Sequence, residues 1–128
     1  MKHTDHSKHL ETNTIKQALA DQAIAQALHP NDSFLIHKEL FKFFGINKAI
    51  YISNLIDNFV YLKSINMLRE DESFFVTFKQ QTKQTGLSEY QLRQCKKYFI
   101  NLGILDTKMS GAPAKEYYFI YLDQEEDG

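Results

Sequence analysis

The 128-residue sequence lacks the common motifs of enzymes and metal sites. Its five glycines, at positions 45, 86, 103, 111 and 128, are dispersed, so there is no glycine-rich loop that could cradle a phosphate group. It also has no Cys-His spacing typical of zinc sites, no Gly-x-Ser-x-Gly motif and no pair of carboxylates on a shared apolar face. The sequence therefore predicts a protein that is not an enzyme and that holds no metal ion or other cofactor.

Cysteine is scarce, and long apolar runs are missing. The one cysteine, Cys95, cannot form an internal disulfide, and its place on an apolar helical stripe favours a small buried side chain over a reactive thiol. No apolar run approaches the roughly 20 residues that span a bilayer, and the polar start of the chain does not resemble a signal peptide. We therefore expect a soluble, cytoplasmic protein with no membrane partner.

Acidic and basic residues are nearly equal in number but unevenly distributed. The formal net charge of the whole chain is −1 at pH 7. Residues 79–122 contain seven basic and three acidic side chains, a formal charge of +4, whereas residues 123–128 contribute −4. Because phosphate contacts depend on the local field rather than on the total charge, the basic segment is compatible with a nucleic-acid partner.

The basic segment has the pattern of two short helices joined by a tight turn. Thr85-Gly86 predicts the turn, and Ser88 occupies an N-cap position because its hydroxyl can accept a free backbone N–H of the next helix. Apolar residues recur at helical spacing after the turn and predict one buried stripe, formed by Leu87, Leu92, Cys95, Phe99 and Leu102. Polar and basic side chains occupy the opposite face of this second helix.

These features resemble the winged helix-turn-helix family. The run Asn101-Leu102-Gly103-Ile104-Leu105 is similar to the exit of a recognition helix into its hairpin, and residues 106–119 resemble the wing, with a turn at residues 110–113. The resemblance extends to phage and plasmid replication or regulatory proteins, including DnaD-like initiator domains. It implies an α+β, mostly helical fold: a winged helix-turn-helix with a small antiparallel β-sheet or wing and an additional N-terminal helix.

The function that the resemblance implies is sequence-specific binding of double-stranded DNA, in replication initiation or transcriptional regulation. The helix from Ser88 to Leu102 would lie in the major groove. The side chains expected to contact bases or phosphates come from both helices and the wing: Lys79, Lys83, Thr85, Ser88, Tyr90, Gln91, Arg93, Gln94, Lys97, Lys108 and Lys115. A homodimer that reads two half-sites is the usual geometry.

A second interpretation is a winged-helix module that binds other proteins of a replication or transcription assembly. The basic surface is modest, and the N-terminal helix with aromatic residues such as Tyr90 and Tyr118 would then form the interface. The salt dependence of binding separates the two interpretations, because phosphate contacts weaken steeply with salt whereas an apolar interface does not.

The sequence also predicts how the chain is divided. Residues 1–11 are polar and are expected to be disordered, residues 12–30 to form a helix, residues 33–122 to form the winged-helix domain and residues 123–128 to form an acidic tail. The alanine-rich stripe of the helix at 12–30 can pack on its own domain or form a dimer, and both alternatives remain open.

Within the predicted winged-helix domain, three further elements are expected. Apolar residues predict a strand at 33–37 and a strand at 74–78, and Gly45 predicts a break before the longest helical pattern, at 49–68. Phe59 and Tyr61 recur at helical spacing on that long helix, so we predict that they belong to the core.

Overall fold

The structure, a computed structural model, describes residues 2–28 and 38–121, with side chains described for residues 13–25, 27 and 40–121. The helices in these ranges are α1 (Lys2–Leu28), α2 (Lys38–Ser64), α3 (Phe78–Thr85) and α4 (Glu89–Asn101), and the strands are β1 (Phe74–Phe75), β2 (Leu105–Ser110) and β3 (Lys115–Ile120). The fold is α+β and mostly helical, as predicted, and the order of its elements fits a winged helix. The predicted strand at 33–37 and the acidic tail lie outside the described residues.

Helix α1 begins at Lys2, within the stretch that we expect to be disordered, rather than near residue 12. No glycine or proline interrupts it, and a helix that has already nucleated gains one hydrogen bond for each residue it adds. Its apolar stripe, with Ile15, Ala18 and Leu19 fully buried, packs against α2. In the structure this stripe packs on its own domain.

Helix α2 combines two predicted elements in one. Gly45 has φ 78° and ψ 179°, a conformation that strongly favours glycine, and it kinks the helix at the predicted break. The helix ends at Ser64 rather than at residue 68, because Asn66 adopts the left-handed conformation with φ 61°. The N–H of Met67 then donates to the carbonyl of Leu62 at 2.8 Å, which closes the helix with a Schellman motif.

The three strands form an antiparallel sheet in the order β1-β3-β2. Strand β1 is shorter than predicted and ends at Phe75, because Thr77 leaves the strand to cap α3. Strands β2 and β3 form the predicted hairpin, with Leu105 opposite Ile120 at its base and Ser110 opposite Lys115 beside the turn. This hairpin lies where the wing is predicted.

The core lies between α2, α4 and the inner face of the sheet, and Phe99 of α4 is near its centre. The ring of Phe99 is fully buried, with its centroid 4.8 Å from that of Phe44 and 5.9 Å from that of Tyr51. Aromatic pairs at these separations stabilise a core beyond the area that they bury. The position of α4 on the domain therefore depends on this aromatic cluster.

Two predictions about aromatic residues are wrong. Tyr61 is 60% exposed, whereas Phe59 is half-buried with its ring centroid 6.0 Å from that of Phe74. Tyr61 follows Phe59 by two residues, which places it about 200° around the helix axis and therefore on the opposite face of α2. Conversely, Tyr118 is 1% exposed because it points from β3 into the core, so it cannot contribute to a protein-binding surface.

Candidate nucleic-acid interface

The first helix of the predicted motif, α3, is held by its own ends. Thr77 and Gln80 form a capping box, in which each side chain accepts a hydrogen bond from the backbone N–H of the other residue at 3.0 Å. The helix ends at Gly86, whose φ of 81° places it in the left-handed region. The tight turn predicted at Thr85-Gly86 is confirmed.

The hydroxyl of Thr85 is used within this turn. It donates to the carbonyl of Gln81 at 2.7 Å and accepts from the N–H of Leu87 at 3.0 Å. A threonine hydroxyl has one proton to donate, so in this geometry Thr85 has none for a phosphate oxygen. The hydroxyl therefore stabilises the turn between α3 and α4.

Side-chain amides connect α3 to α2. The Nδ2 atoms of Asn54 and Asn58 both donate to Oε1 of Gln84, at 2.9 Å and 3.0 Å. This contact could not be predicted from the sequence, because amides 26 and 30 residues apart carry no local signal of their proximity. The three residues hold α3 against the core and thereby position its exposed lysines.

Helix α4 begins at a second capping box. Ser88 Oγ accepts from the N–H of Gln91 at 3.2 Å, and Gln91 Oε1 accepts from the N–H of Ser88 at 2.9 Å. The N-cap predicted at Ser88 is confirmed. Gln91 retains its amide N–H groups as donors, and Ser88 retains its hydroxyl proton, so both can still contact DNA.

Loss of the Ser88 cap should lower stability measurably. Ser88→Ala removes the acceptor for the Gln91 N–H, and we expect a loss of about 1 kcal/mol in the free energy of unfolding. This free energy is measured by unfolding the protein in urea, with circular dichroism as the probe. Ser88→Asn, which retains a capping acceptor, should stay within about 0.5 kcal/mol of the original chain. Equal midpoints for the alanine and asparagine variants would contradict the capping role.

The two faces of α4 differ as the sequence predicts. Leu92, Cys95 and Phe99 are buried with Leu87, and Leu102 is half-buried. Burial raises the pKa of the Cys95 thiol, which agrees with an unreactive side chain on this stripe. The opposite face is available for contacts.

The exposed face of α4 presents one row of polar side chains. Tyr90 is 71% exposed, and Arg93, Gln94 and Lys97 are exposed at the three- and four-residue spacing that places side chains on one side of a helix. Base edges and phosphates are recognised by side chains of these types. The row is therefore chemically suited to a groove of DNA, and the capping box and Phe99 hold its helix rigidly.

Arg93 is the most tightly engaged side chain of this row. Its Nε donates to Glu89 Oε2 at 3.1 Å, and its guanidinium lies 4.9 Å from the ring centroid of Phe78. Both partners of the ion pair are more than half exposed, and exposed pairs of this kind are worth at most about 1 kcal/mol. A phosphate or a guanine can therefore compete with Glu89 for the guanidinium.

Lys96, which was not predicted as a site residue, joins α4 to the hairpin. Its Nζ lies 3.0 Å from both carboxylate oxygens of Glu116 on β3, and the two side chains are half-buried. The charge of Lys96 is thereby offset. Lys96 is better explained as a structural contact than as a ligand for phosphate.

The predicted wing lysines differ in what surrounds them. Lys108 pairs with Asp71, and this hydrogen bond, together with those from Ser73, holds the pKa of the Asp71 carboxyl well below its usual range. Lys115 lies beside the turn and is exposed, 5.0 Å from the ring centroid of Phe75. Lys115 is therefore the freer of the two to contact a phosphate.

Three of the predicted phosphate-binding lysines lie on the two helices of the motif. Within the part of the chain that the structure describes, no ion pair is formed by Lys79, Lys83 or Lys97. All three are exposed, two on α3 and one on α4. The described helix-turn-helix thus presents an uncompensated positive charge on both of its helices.

Other kinds of site find little support in the same residues. Among side chains described here, no group of three or more histidine, cysteine, aspartate or glutamate residues is placed to hold a metal ion. None of the described helices has both the length and the apolar character needed to cross a membrane.

Comparison with known proteins gives a likeness in fold. No protein-family model matches the sequence, and no curated protein matches it. A solved structure described as "N-Terminal domain of DNA binding protein" is similar over 75% of this chain and 79% of that chain, with a TM-score of 0.57 and 17% sequence identity. At this level of identity the likeness concerns the fold.

Proposed function

We propose that the protein binds double-stranded DNA in a sequence-specific manner through its helix-turn-helix, with α4 in the major groove. The observation that carries this proposal is the exposed row of Tyr90, Arg93, Gln94 and Lys97 on a helix whose start and opposite face are both held by the fold. The similarity of the fold to the N-terminal domain of a DNA binding protein supports the same partner.

The contacts divide by chemistry. Arg93 and Gln94, with the amide of Gln91, are suited to base edges, because these groups can hydrogen-bond to guanine or adenine in the major groove. Phosphate contacts would come from lysines on α3, α4 and the wing, namely Lys79, Lys83, Lys97, Lys108 and Lys115. Tyr90 and Ser88, near the start of α4, are placed at the end of the helix that usually approaches the bases.

The biological setting that we propose is replication initiation or transcriptional regulation, as in the phage and plasmid proteins and DnaD-like domains that the sequence resembles. A homodimer would place two copies of α4 about 34 Å apart, on successive turns of one face of the duplex. Because the stripe of α1 already packs on α2, such a dimer would use other surfaces, among them the exposed Ile24 of α1.

The second candidate is a protein-interaction module, and one observation favours it. Three apolar side chains, Tyr61, Ile65 and Met67, are exposed together at the end of α2. Exposed apolar groups that neighbour one another are typical of protein interfaces. This surface is separate from the row on α4.

Salt separates the two candidates, and Glu89 provides a matched variant. Glu89→Gln removes the anion that pairs with Arg93, so we expect it to raise duplex affinity several-fold. Fluorescence anisotropy with a labelled duplex, measured from low to moderate salt, should show affinity falling steeply for both chains. Affinity that does not change with salt, or that falls in Glu89→Gln, would contradict binding through α4.

A further inference from the structure

The outer face of the sheet carries a second concentration of aromatic residues. Alternate residues of a strand point to opposite faces, and the face with Phe74 and Tyr118 packs into the core. The other face carries Phe75, Tyr117 and Phe119. Phe75 is 37% exposed and lies directly opposite Tyr117, with 5.8 Å between the ring centroids.

Each of these three rings has a cation above it. The cations come from β2, from β3 and from the turn that precedes β1: Arg69 lies 4.2 Å from the ring centroid of Tyr117, Lys108 lies 5.3 Å from that of Phe119, and Lys115 lies 5.0 Å from that of Phe75. We call these six residues the sheet face. Aromatic rings interleaved with cations provide both stacking partners for bases and counter-charges for phosphates.

We propose that the sheet face binds single-stranded DNA, as a second nucleic-acid surface that is distinct from α4 and shares only Lys108 and Lys115 with the proposed duplex contacts. Unpaired bases would stack on the rings of Phe75 and Tyr117, and the displaced Lys115 and Arg69 would contact the adjacent phosphates. Base stacking on an aromatic ring is stronger than an exposed cation–π contact, so the exchange is favourable. The displaced cations lose little interaction energy, because each exchanges its contact with a ring for a contact with a phosphate.

The acidic residues near the sheet face indicate which part of it the strand uses. Asp71 is occupied by Lys108 and Ser73, and Asp106 accepts from the N–H of Thr107 at 2.8 Å. In the register of the sheet Asp106 lies opposite Phe119, whereas Phe75 and Tyr117 lie opposite each other on β1 and β3. A strand would therefore run across Phe75 and Tyr117 rather than over Phe119 and Asp106.

The stacking geometry selects an unpaired strand. In a duplex both faces of each base are covered by neighbouring bases. Aromatic side chains exposed on a sheet can therefore stack only on bases that are not stacked in a duplex. The choice of DNA over RNA rests on the proposed function, because a protein that reads a DNA site encounters strands of the same DNA. The surface itself is independent of α4.

The test uses the full chain and an oligothymidylate of about 12 nucleotides, a length within the usual site size. Phe75→Leu combined with Tyr117→Leu keeps apolar side chains on the sheet but removes both rings. We expect the affinity for the oligothymidylate, measured by fluorescence anisotropy at low salt, to fall roughly tenfold or more. The quenching of tyrosine fluorescence on binding should diminish as well.

Two further variants make the result specific. Tyr117→Phe retains a ring and should bind nearly as the original chain does, and Tyr61→Leu removes an exposed aromatic from α2 and should have no effect. Undiminished affinity in the double variant, or no binding of oligothymidylate by the original chain, would overturn the proposal. Tighter binding of an oligouridylate of equal length would overturn the choice of DNA.

The two surfaces can fail separately. Arg93→Ala should weaken duplex binding while leaving oligothymidylate binding unchanged. The double variant Phe75→Leu with Tyr117→Leu should weaken oligothymidylate binding while leaving duplex binding unchanged. A loss of equal size on both ligands in the double variant would mean damage to the fold, and would count against a separate surface.

Discussion

Phe99→Ala should destabilise the protein by about 3–5 kcal/mol, the largest effect that we expect from a single substitution. Phe99 is fully buried, and its ring packs against Phe44, Tyr51 and Tyr98 with centroid separations of 4.8, 5.9 and 5.2 Å. Removing the ring leaves a cavity lined by aromatic residues. We expect that α2 and α4 cannot move close enough together to fill it. Since small domains are stable by only about 5–15 kcal/mol, much of the total is lost.

The measurement for Phe99→Ala is equilibrium unfolding in urea, with the free energy extrapolated to water. Tyr61→Ala is the control, since it removes an exposed aromatic ring and should change the free energy of unfolding by at most about 0.5 kcal/mol. A loss below about 1 kcal/mol in Phe99→Ala would show that the core can collapse around this site, and that α4 is held by other contacts.

Arg93→Ala should weaken binding of the preferred duplex by about 1–3 kcal/mol, or roughly five- to 150-fold in affinity. The guanidinium is on the exposed face of α4, and the competing pair with Glu89 is exposed and weak. Because truncation removes no buried group, the free energy of unfolding should change little. The substitution is therefore expected to lower duplex affinity without lowering the stability of the fold.

Competition between duplexes that differ at one base pair measures the specific part of this loss. If Arg93 contacts a base, Arg93→Ala should narrow the preference among sequences, whereas Lys97→Ala should weaken all duplexes nearly equally. Lys63→Ala, on α2, is the matched control for removal of one exposed positive charge. An unchanged binding curve for Arg93→Ala, on a retained fold, would remove Arg93 from the proposed interface.

The elements that the sequence predicted well are those with local signals. Ser88 as an N-cap, the turn at Thr85-Gly86 and the exit through Gly103 each depend on residues close together in the chain. Ile104 N–H donates to the Phe99 carbonyl at 3.1 Å, the contact expected where a left-handed glycine ends a helix. Signals of this kind survive in the folded protein because tertiary contacts do not compete with them.

The faces of helices and strands were harder to predict than their existence. The alternation in β3 correctly separates Tyr117 from Tyr118, but the sequence does not say which side meets the core. That choice depends on β1, since Phe74 pairs with Tyr118 and is itself buried. In the same way, Tyr61 lies only two residues from the half-buried Phe59, yet it is on the opposite side of α2 and is exposed.

The residues of the candidate site could be predicted from the sequence, but the ion-pair partner of each residue could not. The sequence alone does not distinguish Lys97 from Lys108. In the structure Lys108 pairs with Asp71, 37 residues away, whereas Lys97 forms no ion pair within the described part of the chain. Lys96 adjoins Lys97 and is paired with Glu116 instead. Such pairings depend on which strands and turns come together, so they follow only from the fold.

Selection of bound duplexes from a mixed pool, at low and at moderate salt, tests the central claim most directly. With size-exclusion light scattering on the same sample, it gives the target and the oligomeric state together. We expect one enriched sequence, near-palindromic if the protein is a dimer, with retention falling as salt rises. If no duplex is retained even at low salt, α4 does not bind DNA, and the exposed apolar residues at the end of α2 become the surface to pursue.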